Sequence, residues 1–260
     1  MDIISFSGGK DSTAVVLKMH EMDQLKDKII LHISMQEWEH PQMNEHIKKV
    51  RKYINQEIII INAFKNGPTK KMLNHVVNKR DNTTQNGYWW CGKSRWGTTY
   101  KMQAIKRFYK QFDEVVEYIG YATDEKSPSR QLLIEQHKKG ELKNIVYPLV
   151  DWDMTEQDAL KYCYDKGFDW GGLYELYNRV SCWCCQNNNL KELRNMYEYE
   201  PEKWEKLKQL DKEVEKRVIE KHGEYKKEFR YKANYSFEEL EEKFKERQLN
   251  LFGKINEVKK

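Results

Sequence analysis

The chain has 260 residues, enough for one sizeable core with a smaller appended unit. Its 39% hydrophobic and 33% charged residues exclude an intrinsically disordered protein, and its longest apolar run, within Ile58–Asn62, is too short for a membrane span. A net charge of +5, from 46 cationic and 41 anionic side chains, permits contact with nucleic acid or a polyphosphate but requires neither. No basic, apolar leader precedes the first motif, which predicts a cytoplasmic protein.

In chain order, "DIISF" predicts a short buried strand that ends at glycines. A helix is expected from Ser12, with Asp11 or Ser12 near its cap and Val15, Val16, Leu17 and Met19 on its apolar positions. Lys28–Ser34 reads as a second strand, and Pro41 opens a second helix. Glu57–Phe64 reads as a third strand. Residues 65–94 are mostly polar and read as an irregular insertion with a short helix around "MLNHVV". A helix over Thr98–Phe112, a fourth strand over Glu114–Ala122 and a fifth within Asn144–Trp152 follow. Beyond Leu190 the sequence is charged and helix-forming, with no strand signal. The alternation predicts an α/β fold, a parallel sheet of about five strands with helices on both faces and a helical C-terminal extension. Residues 1–190 form the α/β domain in this reading and residues 191–260 the extension.

The hexad "SGGKDS", Ser7–Ser12, falls between the first strand and its helix. Gly8 and Gly9 allow a close approach to the main chain, whose N–H groups at a helix start suit an anion. Ser5, Ser7 and Ser12 add hydroxyls, Lys10 a point charge and Asp11 a carboxylate that caps or shapes the loop. The pattern is neither G-x-x-x-x-G-K-[ST] nor G-x-G-x-x-G. It resembles the PP-loop signature of the ATP pyrophosphatases and adenine nucleotide α-hydrolases, whose fold is Rossmann-like. Those enzymes cleave ATP between the α and β phosphates to adenylate a substrate.

Further segments resemble the phosphoadenosine phosphosulfate reductase-like branch: "EWEHP", "YWWCGKSRW", "YIGYATDEKSPSR", "YPLVDW" and "GGLYELYNRVSCWCC", in that order, over residues 1–210. The resemblance implies an adenine nucleotide held by Ser5, Ser7, Gly8, Gly9, Lys10, Asp11, Ser12, Gly120, Asp124 and Arg130. Lys10, Asp11 and Arg179 are the catalytic candidates. Mg²⁺ would be held by Asp124 or Glu125. The chain departs from the reductase pattern at Met35, where aspartate is usual, and at Ala122, where arginine is usual. No cysteine follows Cys185, where reductases use a late thiol, which argues for a different reaction on the same scaffold.

Five cysteines, three of them in "SCWCC", do not form a disulfide framework. Cys182 and Cys185 form a C-x-x-C, with Cys91 as third ligand and Cys184 or His75 as fourth. A 4Fe–4S cluster, as in thiolating relatives, or Zn²⁺ fits this set, as do redox thiols or buried structural cysteines. Cys163 falls on a helix face and reads as core. Arg130 reads equally as a phosphate contact or a surface charge, Arg179 sooner as a phosphate contact than as a surface ion pair, and the many tryptophans sooner as core than as base-stacking groups. The functional expectation is adenylation by ATP, followed by sulfur transfer to a nucleic acid or small molecule, with a sulfur-donor protein and a homodimer among the partners. The alternatives are an adenylyl sulfate reductase and a nucleotide-binding module with structural zinc.

Overall fold

The structure, a computed structural model, describes residues 1–74, 76–78, 84–86, 89, 96–180 and 182–246, with backbone alone at 76–78, 84–86 and 96. The elements are β1 (Asp2–Ser5), α1 (Lys10–Glu21), β2 (Ile29–Ser34), α2 (Pro41–Ile54), β3 (Ile58–Asn62), α3 (Pro68–Leu73), β4 (Val76–Asn78), β5 (Thr84–Asn86) and α4 (Trp96–Tyr109). Then follow β6 (Val116–Tyr118), α5 (Pro128–Lys138), β7 (Ile145–Val146), α6 (Pro148–Asp151), α7 (Glu156–Asp165), α8 (Leu173–Leu176), α9 (Leu190–Tyr199) and α10 (Pro201–His222). No helix among the described residues is long and apolar enough to cross a membrane.

Strand order β3-β2-β1-β6-β7, all parallel, makes the five-stranded sheet expected from the sequence. Ile3 and Ile4 of β1 point to opposite faces and both are buried, as a central strand covered on two sides requires. Register pairs Ile4 with Ile30 of β2 and with Tyr118 of β6. Right-handed crossovers put α1 and α2 on one face and α4 and α5 on the other. The chain steps outward from β1 to β3, then returns past β1 to β6. The point where winding reverses therefore lies between β1 and β6, the place where open α/β sheets hold ligands at their strand ends.

The chain forms two compact units, residues 1–65 with 98–182 and residues 66–97 with 183–260. The first contains the sheet. In the second, α9 and α10 pack together around Leu193, Met196, Trp204 and Leu207, all at most 1% exposed. A helical stretch over residues 237–246 adds Phe237, Leu240 and Phe244 to that core.

Several local expectations shift. The fifth strand stops at Val146 because Pro148 donates no ladder hydrogen bond and instead starts α6 at its first position. Residues expected to be irregular form α3, entered through Gly67 (φ 79°) and Pro68, and the antiparallel pair β4–β5. The helix placed around "MLNHVV" thus ends at Leu73, and the β-branched Val76–Val77 join a strand.

Candidate functional site

The Ser7–Ser12 loop follows β1 and is folded by backbone geometry first. Gly8 has φ +80°, a left-handed conformation, and a Cβ there would strike the Met43 sulfur from α2. Gly9 is the extended N-cap of α1, which begins at Lys10. Asp11 and Ser12 therefore lie in the first turn, not at the cap. No side chain caps this helix. Ser12 Oγ instead donates to the Gly9 carbonyl at 3.1 Å and lies 3.0 Å from Ser7 Oγ. Those hydroxyls hold the loop's shape.

Main-chain donors remain. Lys10 N–H donates to Tyr174 Oη at 2.7 Å, and Gly9 N–H reaches Ser7 Oγ at only 3.4 Å. The N–H groups of Gly8, Asp11 and Ser12 have no acceptor among the described residues. Three unmet donors therefore gather at this helix start, and such groups demand a partner when covered.

The loop is braced from below. Trp170 Nε1 donates to Gly8 O at 2.7 Å, and the Trp170 ring stacks on His46 with centroids 4.5 Å apart. His46 Nε2 lies 2.9 Å from Thr13 Oγ1, and burial drives its imidazole down to about 3, so it is a neutral prop. Cys163 is fully buried on α7, and its thiol points at Lys10 O, 3.5 Å away, in accord with the core reading. Burial pushes that thiol up, away from nucleophilic use.

Gly120, after β6, closes the other side of the switch point. A Cβ there would stand 2.9 Å from the Asp11 carbonyl carbon and from Ser12 N, so only glycine lets β6 approach the helix start. Charged groups gather beside it. Lys10 Nζ, almost buried, lies 2.8 Å from Glu156 Oε2 and 3.4 Å from Asp11 Oδ2. Asp124 Oδ1 accepts from Glu156 N–H at 2.8 Å, and Arg130 pairs with Glu125 at 2.7 Å. Burial pushes the Asp11 carboxyl up to about 6, opposed by Lys10 and aided by Glu156 and Glu125. Its Oδ1 is buried with no partner among the described residues. That orphaned oxygen fits a divalent cation of the Mg²⁺ type, which takes one or two carboxylates beside phosphate and water.

The other predicted residues are placed differently. Ser5 Oγ is committed to Glu117 Oε1 at 2.5 Å. Arg179 is exposed, and no hydrogen bond or ion pair ties it to the loop. Met35 is buried. Cys182 sits at the end of β2 through a backbone bridge to Glu39. The Glu39 carboxylate is itself fixed by Met35 N–H (2.8 Å), Ser34 Oγ (3.1 Å) and His32 Nε2 (3.2 Å).

Cys184 and Cys185 are buried in the second unit, where Tyr231 Oη donates to Cys185 O at 2.6 Å and Lys232 Nζ to Asn188 O at 2.6 Å. No group of three or more His, Cys, Asp or Glu side chains disposed to hold a metal occurs among the described residues, so Cys182, Cys184 and Cys185 do not alone make a zinc or cluster site. Cys91, His75 and Trp90 lie outside the described residues. Trp38, Trp89 and Trp170 are core, each 2% exposed.

The sheet, the switch-point loop and its open amides agree with a comparison to known families. The phosphoadenosine phosphosulfate reductase domain model matches residues 2–188. The chain belongs to that family. No curated protein matches it. Membership in the phosphoadenosine phosphosulfate reductase family makes this a chain of the PP-loop, sulfonucleotide-related enzyme class. The hexad and Gly120, which the sequence singled out, meet at the switch point together with Tyr174, Trp170 and Glu156, which it did not single out. Tyr174 lies within the quoted "GGLYELY" segment, which was the available signal.

Proposed function

We propose that the chain binds an adenine nucleotide by its phosphates at the Ser7–Ser12 loop and, with ATP and Mg²⁺, adenylates an acceptor. The observation that carries this reading is the trio of unmet N–H groups on Gly8, Asp11 and Ser12 at the switch point between β1 and β6. In the reaction, an acceptor nucleophile attacks the α-phosphorus, the bond to the α–β bridging oxygen breaks, and pyrophosphate leaves. The unmet amides and Lys10 hold phosphoryl oxygens, and Gly120 lets β6 close against the helix start that carries those amides. Asp11 Oδ1 and Asp124 would hold Mg²⁺, which neutralises phosphate charge when bound. Ser5 and Arg130 come to the nucleotide in this reading only by leaving their present partners, Glu117 and Glu125, whereas the Arg179 side chain is exposed.

Sulfur transfer to the adenylated acceptor, a nucleic acid or a small molecule, is the continuation we favour. A persulfide passed from a sulfur-donor protein to one of the candidate thiols Cys182, Cys184, Cys185 and Cys91 attacks the activated carbon, AMP leaves, and a second thiol frees the product by forming a disulfide that an external thiol reduces. A metal or cluster on these thiols would need Cys91 as a further ligand, since the described donors alone form no such site. The family's description favours a second reading, reduction of an adenylyl sulfate. The buried Cys163 thiol beneath the loop does not supply the required thiolate.

Gly9→Val tests the first reading. A Cβ at Gly9 meets only Tyr174 Oη at 3.4 Å and Ser7 Oγ at 3.6 Å, and the residue has an ordinary φ of −74°. The variant is expected to fold, yet to lose ATP binding by calorimetry and acceptor-dependent pyrophosphate release. Unchanged affinity would refute the cradle. Sulfite release from an adenylyl sulfate with a thiol reductant, and no pyrophosphate from ATP, would establish the second reading instead.

A further inference from the structure

The pairing of Lys10 has a consequence for the form of nucleotide the site accepts. Lys10 supplies the loop's one ammonium, and its Nζ is already held by Glu156 at 2.8 Å and by Asp11 at 3.4 Å. The main-chain N–H of Glu156, at the first position of α7, is anchored on Asp124 Oδ1, so its carboxylate is delivered to Lys10 by a fixed helix start. The contacts and charges that bear on Asp11 and Lys10 join four carboxylates, Asp11, Asp124, Glu125 and Glu156, to two cations, Lys10 and Arg130, and Arg130 is bound to Glu125. A polyanion that arrives alone is drawn by the open amides but repelled by this excess. It also has to take Lys10 from Glu156, which leaves Glu156 and Asp11 without their cation. A divalent cation travelling with the phosphates removes both penalties, because it replaces Lys10 as the counter-charge for the carboxylates.

We propose that Glu156 is a positioning residue that keeps Lys10 from phosphate until a divalent cation takes its place, and thereby makes the loop select the cation-bound nucleotide over the free one. The inference rests on the phosphate-cradle reading of the loop. It assigns to Glu156 a role in specificity, exerted through Lys10 and not by contact with the reacting atoms.

The test is calorimetric titration of ATP in excess Mg²⁺ and, separately, in EDTA, on the full chain and on Glu156→Gln. Wild type is expected to bind the Mg²⁺ form at least about tenfold more tightly, a difference of one neutralised pair at a partly buried site. In Glu156→Gln the ratio should fall to within about threefold, chiefly because metal-free ATP binds more tightly. Glu156 is 43% exposed on its side chain, so the variant is expected to keep the wild-type melting temperature. Glu156→Asp, which retains the charge, should restore the preference. An unchanged ratio in Glu156→Gln, or an equal gain for both forms, overturns the proposal while leaving the cradle intact. Absence of any ATP binding to wild type overturns the cradle reading and this inference with it.

Discussion

Asp11 and Asp211 present the same electrostatic cost in two different settings. Burial pushes each carboxyl up to about 6. Asp211, on α10, answers that burial with three donors aimed at its Oδ1: Trp89 Nε1 at 2.8 Å, Tyr225 Oη at 3.1 Å and Tyr231 N–H at 3.1 Å. Asp11 has one long contact to Lys10 and a buried Oδ1 that nothing meets among the described residues. A raised carboxyl is therefore not by itself a functional signal. The distinction lies in whether its oxygens are already spoken for: Asp211 organises a core, whereas Asp11 keeps capacity for a partner that arrives later.

Removing each carboxylate should separate the two roles. Asp211→Ala strips the acceptor from an indole and an amide and leaves the Tyr225 hydroxyl only Phe229 O, and each buried donor left without a partner costs about 1–3 kcal/mol. The variant should lose about 3 kcal/mol or more in urea unfolding of the second unit, while Asp211→Asn, which keeps an acceptor oxygen, should lose well under half of that. Equal losses would mean that charge, not the donor cluster, is what matters at Asp211.

Asp11→Asn should act in the opposite direction. A carboxyl whose folded value is raised leaves the folded state binding more protons between about pH 4 and 6, so stability is fully present below the unfolded value and is lost as pH rises through 6. Removing that charge should stabilise the unliganded protein by about 1–2 kcal/mol at pH 7.5 and by nothing at pH 4, with loss of Mg²⁺-dependent ATP affinity. Destabilisation at pH 7.5 would show that Asp11 is structural after all, like Asp211.

The contrast also marks what the sequence discloses. Apolar, β-branched runs give β1 and β2, because a central parallel strand must be buried on both faces, and the similar run of Ile58–Ile61 gives the edge strand β3, where Ile60 stays exposed. The hexad is legible because its glycines sit between a strand and a helix. The true cap is Gly9, however, since local rules reward side-chain oxygens and this helix start leaves its amides open. Contacts that complete the loop are long-range: Tyr174 on the Lys10 amide and Glu156 on its ammonium are separated from it by 164 and 146 positions. Nothing in "DMTEQD" announces the latter. Asp211 is one acid among many on a charged helix, and Trp89 lies in a segment that reads as irregular, so their bond has no local signature. Periodicity reveals which face is buried, but not which polar group on the chain meets which other.

The smallest expected effect probes one bond of the Asp211 cluster. The Tyr225 hydroxyl lies 3.1 Å from Asp211 Oδ1 and 3.2 Å from Phe229 O, and its single proton serves one acceptor at a time. When Asp211 is ionised the carboxylate is the stronger acceptor, and when it is protonated the hydroxyl is free to turn to Phe229. Tyr225→Phe should thus raise the Asp211 carboxyl further and cost about 1 kcal/mol at pH 7.5, with a smaller loss at pH 4.5. The sign follows because a donor to the ionised form stabilises the fold only where that form is populated, above about 6. Urea unfolding at the two pH values measures it. An equal loss at both would mean that the Tyr225 hydroxyl donates to Phe229 O throughout, and Asp211 would then be held by Trp89 and the Tyr231 amide among the described residues.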